Sequence, residues 1–310
     1  MSGNHHDSYL PGHSHGHVPS RGDFRRSFAI ATTLNVAFMA AEVIYGFYAN
    51  SLALLADAGH NFSDVIGLVL AWGAFAISNW RPSGRYTYRL HGASILAALA
   101  NGIILLLATG AITWEAVRRF AEPPQVASGT VIVIAALGVC VNGVSAYFLS
   151  HGRKQDLNMQ GGFIHMVADA AVSLAVIFAA FGIRLTGWQW LDPAVSLLIA
   201  AVILYGTWGL LREAFRLTLN AAPRGIDPRA VQSYLEGCPG VRGVHDLHIW
   251  AMSTTATALS AHVVLGQHPG NEFLHDIGHE LAHRFNIAHP TIQIELADSG
   301  VCPVEHDHAA

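Results

Sequence analysis

Six apolar stretches, at about residues 27–49, 52–78, 90–117, 127–149, 161–185 and 190–211, leave few folds open to this chain. Each reaches the roughly 20 residues needed to cross a ~30 Å hydrocarbon core at ~1.5 Å per residue. A water-soluble bundle of buried helices is the competing arrangement. It would need a polar coat, yet Asp, Glu, Lys and Arg make up only 12% of the 310 residues and 52% are hydrophobic. Ordinary soluble domains carry about 25% charged residues. The expectation is therefore an all-α domain of six transmembrane helices over residues 27–217.

The flanks are different. Residues 1–26 are polar, with His5, His6, His13, His15 and His17 among Gly, Ser and Pro, and nothing in them is periodic enough to fold. A disordered tail is expected there, and it lacks the apolar core and small-residue cleavage site of a secretory signal. Residues 222–297 return to soluble character. Asp227 is placed to cap a short helix ending near Gly237, and 243–251 and 256–265 alternate as strands. Residues 271–285 set Phe273, Ile277, Leu281 and Phe285 at helical spacing, and 290–296 alternates again. The order αββαβ predicts a small α+β domain of ferredoxin-like type, with helices on one face of a sheet, followed by a tail at 298–310.

Basic residues set the expected orientation. Arg21, Arg25 and Arg26 precede the first span, Arg81, Arg85 and Arg89 follow the second, Arg153 and Lys154 follow the fourth, and Arg212 and Arg216 close the sixth. The other side carries Arg118, Arg119 and Arg184. Both termini are thus expected in the cytoplasm, in an integral membrane protein of the bacterial inner membrane. A net charge of −4 argues against nucleic acid as a partner.

Histidine is over-represented, at 19 residues, and imidazole is the commonest transition-metal ligand. Cys140, Cys238 and Cys302 form no Cys-x2-Cys pair, so neither a disulfide framework nor a thiolate metal site is indicated. The second span holds Asp57, His60 and Asp64, and the fifth holds His165 and Asp169. In each, a His and an Asp four residues apart project from one helix face. Antiparallel packing of these spans would level His60 with Asp169 and Asp64 with His165, so that four ligands meet in mid-bilayer. An intramembrane carboxylate costs roughly 3 kcal/mol even on the lenient insertion scale. No Lys or Arg lies inside a span to compensate; a divalent cation can, and two imidazoles with two carboxylates suit tetrahedral zinc better than calcium or magnesium. Helix-to-helix hydrogen bonding is the plainer reading of one such pair, and two copies of the spacing weaken it. Asp57, a turn before His60, is expected to steady the ligands from behind. Asn35, Glu42, Asn101 and Asn142 are read as interhelical hydrogen-bonding groups.

The stretch Ser51-Leu-Ala-Leu-Leu-Ala-Asp-Ala-Gly-His-Asn-Phe-Ser-Asp64 resembles the second-helix signature of the cation diffusion facilitator family, which includes bacterial and animal zinc exporters. The similarity extends over most of 27–297, through Leu96-Ala-Ala-Leu-Ala-Asn101, His165-x3-Asp169 and His245-Asp-Leu-His-Ile-Trp250. It implies a homodimer, a metallochaperone-like cytosolic domain and metal-proton antiport, with His60, Asp64, His165 and Asp169 at the transport-site positions. Two features depart from the family pattern. The loop after the fourth span is the short Ser150-His-Gly-Arg-Lys-Gln-Asp156 rather than His-rich, and residues 79–91 offer only His91 for a site that some members build there.

The soluble domain offers a second candidate site. His245 and His262 fall on neighbouring predicted strands, and Gln293 and Glu295 share one face of the third. The resemblance places regulatory metal at such positions, although Gln is a poor zinc ligand. His275, His279 and His283 recur every four residues on the last helix, as a solvated face would, and His279 is added to the second site.

The reading is a secondary active transporter, not an enzyme, that exports divalent metal in exchange for protons, with zinc as the first substrate, cobalt and cadmium as the alternatives, and zinc as a candidate regulator in the soluble domain. A membrane-embedded metalloenzyme would keep a coordination position open, whereas four side chains close this one. The alternative is a membrane-bound metal sensor that binds without moving ions.

Overall fold

The computed structural model describes residues 21–78, 85–88, 90–150, 157–267 and 270–297. The His-rich N-terminal stretch and the Arg153 and Lys154 loop lie outside the described residues. Six long helices come first: α1 (Arg21–Tyr48), α2 (Leu52–Ser78), α3 (Ala93–Ala121), α4 (Ser128–Ser150), α5 (Leu157–Thr186) and α6 (Leu191–Thr218). Several run past the apolar stretches that announced them. α1 starts at Arg21, before the apolar run begins, and α6 continues to Thr218, because a helix needs no hydrocarbon around its polar ends.

Among the described residues, α3, α4, α6 and the Gly162–Thr186 part of α5 are long and apolar enough to cross a membrane on length and composition alone. Most of their surface faces outward, with Leu107, Phe178, Leu185, Tyr205 and Trp208 exposed on the outside of the bundle. Large apolar side chains presented around a whole bundle need an apolar solvent, and the chain is an integral membrane protein. α2 sits centrally, touching α1, α3, α5 and α6, while α4 lies along α5 and α3 along α6. Close approach is set by small residues: a Cβ on Gly138 of α4 would sit 2.7 Å from Phe38 Cζ of α1 and 2.8 Å from Ser173 Oγ of α5.

The C-terminal domain follows as α7 (Pro228–Glu236), β1 (Val241–Ala251), β2 (Thr257–Leu265), α8 (Asn271–Phe285) and β3 (His289–Leu296). Asp227 caps α7, its side chain accepting from Arg229 N at 3.0 Å ahead of Pro228 at the first helical position. Asn286, in the left-handed region at φ 57°, ends α8. The sheet order is β1-β2-β3, with β1 and β2 antiparallel and β2 and β3 parallel across α8. Val231 and Leu235 of α7 and Ile277 and Leu281 of α8 pack with Leu259, Ala261, Val263 and Leu265 of β2 into one core. Alternation along β2 therefore turns His262 to the face that the helices leave bare.

The two parts touch. Thr254 N, in the β1–β2 turn, donates to Ser94 Oγ at the start of α3 (3.1 Å), and Arg224 Nε pairs with Glu213 Oε2 of α6 at 2.7 Å.

Candidate metal centre

The i, i+4 pairs of α2 and α5 put His60 and Asp64 on one helix face and His165 and Asp169 on another, and the helices turn these faces together. His165 Nε2 lies 3.0 Å from Asp64 Oδ2 and 3.4 Å from Asp169 Oδ2. His60 Nε2 lies 3.8 Å from both Asp64 Oδ2 and Asp169 Oδ1. A tetrahedral zinc with ligand bonds of about 2.0–2.1 Å has ligand-to-ligand edges of about 3.3 Å, so the observed edges bracket that value. His60, His165 and Asp169 alone bring one ligand atom each within 4.8 Å of one another, and Asp64 joins through its contacts to both imidazoles.

The polar atoms here are unsatisfied by protein. Asp64 Oδ2, Asp169 Oδ2 and His60 Nδ1 are buried without a hydrogen-bond partner among the described residues. The 3.0 Å approach of His165 to Asp64 is too poorly aligned to count as a hydrogen bond. Buried carboxylate oxygens without donors are costly unless a cation meets them, so the donor set fits a divalent metal.

Behind the ligands lies a second acidic layer. Glu42 of α1 and Asp57 of α2 are buried at 0% and 2% exposure, within hydrogen-bonding reach of each other. Asn61 Nδ2 donates to Glu42 Oε2 at 3.2 Å, and Ser173 Oγ donates to Asp57 Oδ2 at 3.2 Å. Asp57 thus contacts neither imidazole by a hydrogen bond; it ties α2 to α5 and α1. Glu42 read in sequence only as a polar group in a span, and its pairing with Asp57 needs the α1–α2 packing to be visible. Asn101 accepts from Ser63 Oγ at 3.4 Å, joining α3 to α2 one residue from Asp64.

The second candidate group assembles in part. His245 Nε2 lies 3.0 Å from Glu295 Oε2, and His262 Nδ1 lies 2.8 Å from Glu295 Oε1, on the bare face of the sheet. These three form a group able to hold a metal. Gln293 meets the group as a donor, its Nε2 donating to Glu295 Oε1 at 3.1 Å. His279 does not belong. It sits on α8, which covers the opposite face of the sheet, with its ring 4.3 Å from that of His283. Asp246 of β1 also approaches this group. A bulge puts it at φ 50°, with its carboxylate 2.9 Å from His248 and 3.7 Å from His262.

Comparison with known proteins agrees in both halves of the chain. The family described as "Cation efflux transmembrane domain" matches residues 28–217, and "Cation efflux protein, cytoplasmic domain" matches residues 223–297. The metal cation efflux system protein CzcD of Cupriavidus metallidurans is 38% identical over 288 residues, 92% of this chain and 90% of that protein. The zinc transporter ZitB of Escherichia coli is 35% identical, covering 91% of each chain. The cadmium, cobalt and zinc/H(+)-K(+) antiporter of Bacillus subtilis is 34% identical, over 90% of this chain and 92% of its own. A solved structure of the metal-bound C-terminal domain of the C. metallidurans CzcD transporter aligns with 23% of this chain and all of its own at 38% identity, with a TM-score of 0.22.

Proposed function

The chain belongs to the cation efflux family, also known as the cation diffusion facilitators, and we propose that it is a proton-coupled antiporter exporting zinc from the cytosol through His60, Asp64, His165 and Asp169. The observation that carries this reading is the convergence of two imidazoles and two carboxylates, from two different spans, with buried oxygens that no protein donor satisfies. Relatives named as zinc transporters and as a cadmium, cobalt and zinc antiporter support the choice of cargo.

Coupling follows from ligand chemistry. The ion binds neutral imidazole and ionised carboxylate, so its arrival displaces protons and an arriving proton weakens its hold. His60 and His165 are the proposed carriers, since imidazole is the side chain that both ligates the metal and takes up a proton in its place. The Lys and Arg distribution supports cytoplasmic termini in a bacterial inner membrane, and the family resemblance supports a homodimer. Zinc added to inside-out vesicles that are acid inside is expected to enter while the lumen turns alkaline, as read by a trapped pH dye. Zinc entry at the same rate with no proton counter-movement would reject antiport, and binding without entry would identify a sensor instead.

The group on the sheet is proposed as a metal site of the soluble domain, held by His245, His262 and Glu295. His262→Ala in the full-length protein should lose about one equivalent of bound zinc in equilibrium dialysis, since three donors are too few to lose one and still hold the ion. Unchanged stoichiometry would remove the site.

A further inference from the structure

The three connections at the end of the bundle away from the C-terminal domain are stitched together. Ala127 N, entering α4, donates to Ala49 O of the α1–α2 turn at 3.0 Å, and Val126 N donates to Gln189 Oε1 of the α5–α6 turn at 3.1 Å. Arg119 Nη1 of α3 donates to Asn50 O at 2.8 Å.

At the centre of this cap stands Asp192. An Asp in the first turn of α6 would ordinarily serve its own helix. Here it caps another one: Asp192 Oδ2 accepts from Leu52 N at 2.7 Å, and Oδ1 accepts from Ser51 Oγ at 2.6 Å and Ala53 N at 3.4 Å. Ser51 Oγ in turn accepts from Leu54 N at 3.3 Å. The first amides of α2, which no intrahelical carbonyl can satisfy, are thus held by a carboxylate of α6. Asp192 is 2% exposed and Ser51 0%, so these charge-assisted bonds cannot be exchanged for water unless the end of the bundle opens.

The burial along α2 shows what the cap closes. Between it and His60, residues Ala53, Leu54, Ala56, Asp57 and Ala58 are all buried. Asp64 and His165, towards the domain-bearing end, have side chains 38% and 39% exposed. Burial is therefore greatest on the side of the cap and least at the ligands nearer the domain-bearing end.

We propose that Asp192 is the latch of the outer gate, a positioning residue that clamps the start of α2 to α6 while metal loads from the cytosol and must release it before metal can leave. This rests on the transport site proposed above, and it adds to that site a defined closing element. The arrangement has two discrete states, since the α2 amides are either capped by Asp192 or hydrated in an opened vestibule. Removing the carboxylate shifts the balance towards the open state without touching a metal ligand.

The test uses the full-length protein in vesicles, with Cys140, Cys238 and Cys302 replaced by Ser and a reporter Ala56→Cys one turn before His60. A membrane-impermeant maleimide is applied from the side opposite the C-terminal domain. Asp192→Ala is expected to raise labelling at least about fivefold, in the range of ordinary conformational coupling, with Ser51→Ala and Asp192→Asn intermediate. Zinc affinity should stay within about twofold of the parent, because the ligands are untouched. Unchanged labelling in Asp192→Ala and Ser51→Ala, both eluting as folded protein, overturns the latch. So does labelling that rises only together with loss of zinc affinity, which would mark collapse rather than gating. In a background that also carries His245→Ala and His262→Ala, so that the soluble-domain group is silent, a His60→Ala control that binds zinc normally would overturn the transport site while the Asp192→Ala labelling still decides the latch.

Discussion

Asp64→Ala and Asp169→Ala are each expected to reduce zinc flux to the background of empty vesicles while leaving a folded protein. Each removes one of four ligands and one of the two negative charges that meet the cation, and with it an oxygen whose charge state links ion binding to proton release. Folding should survive because, among the described residues, the only contacts these carboxylates make across α2 and α5 are with the other members of the cluster. Asp64 Oδ2 and Asp169 Oδ2 satisfy no protein donor, so their removal strands none. An intramembrane carboxylate also costs roughly 3 kcal/mol, which truncation to Ala relieves. Asp57→Ala is a useful contrast, since it takes away the acceptor of a buried Ser173 hydroxyl and the neighbour of Glu42. Initial zinc uptake into inside-out vesicles, together with the melting temperature of each purified variant, separates the two effects. Normal flux in either ligand variant would remove the proposed site.

His60→Asp is expected to raise the ratio of cadmium to zinc transport while zinc transport itself falls. The His60 contacts are the longest of the site, 3.8 Å to each carboxylate, so this corner yields most easily to a shorter side chain. A third carboxylate adds negative charge and a possible bidentate oxygen pair, which larger ions of higher coordination number can use and tetrahedral zinc cannot. Manganese should gain for the same reason. The measurement is uptake of zinc, cadmium and manganese at matched protein levels under one imposed proton gradient. An unchanged or lower cadmium to zinc ratio would show that His60 does not select the ion.

That His60, Asp64, His165 and Asp169 lie together was visible in sequence because each half is local: His60 with Asp64 and His165 with Asp169 need only the 3.6-residue period, and the antiparallel run of α2 and α5 brings the halves level. The soluble domain was legible for a similar reason, since Asp227, the Phe273 to Phe285 spacing and three alternating strands are short-range signals. What escaped was long-range. Asp192 looks like an ordinary helix-start residue, and nothing in its neighbourhood reveals that it caps a helix 140 residues away. Glu42 and Asp57 are fifteen positions apart across a turn, and only packing makes them a pair. The place of His279 escapes the sequence because periodicity tells which residues share a helix face but not which face of the sheet that helix covers.

The most direct test of the central claim is the zinc coordination shell, read by X-ray absorption on full-length protein carrying His245→Ala and His262→Ala, so that the intramembrane site alone is reported. Four nitrogen or oxygen ligands at about 2.0–2.1 Å, two of them with the outer-shell scattering of imidazole, are expected. His165→Ala added to this protein should abolish the bound ion or leave one imidazole. A shell containing sulfur, a shell of six oxygens, or one unchanged by His165→Ala would contradict the account.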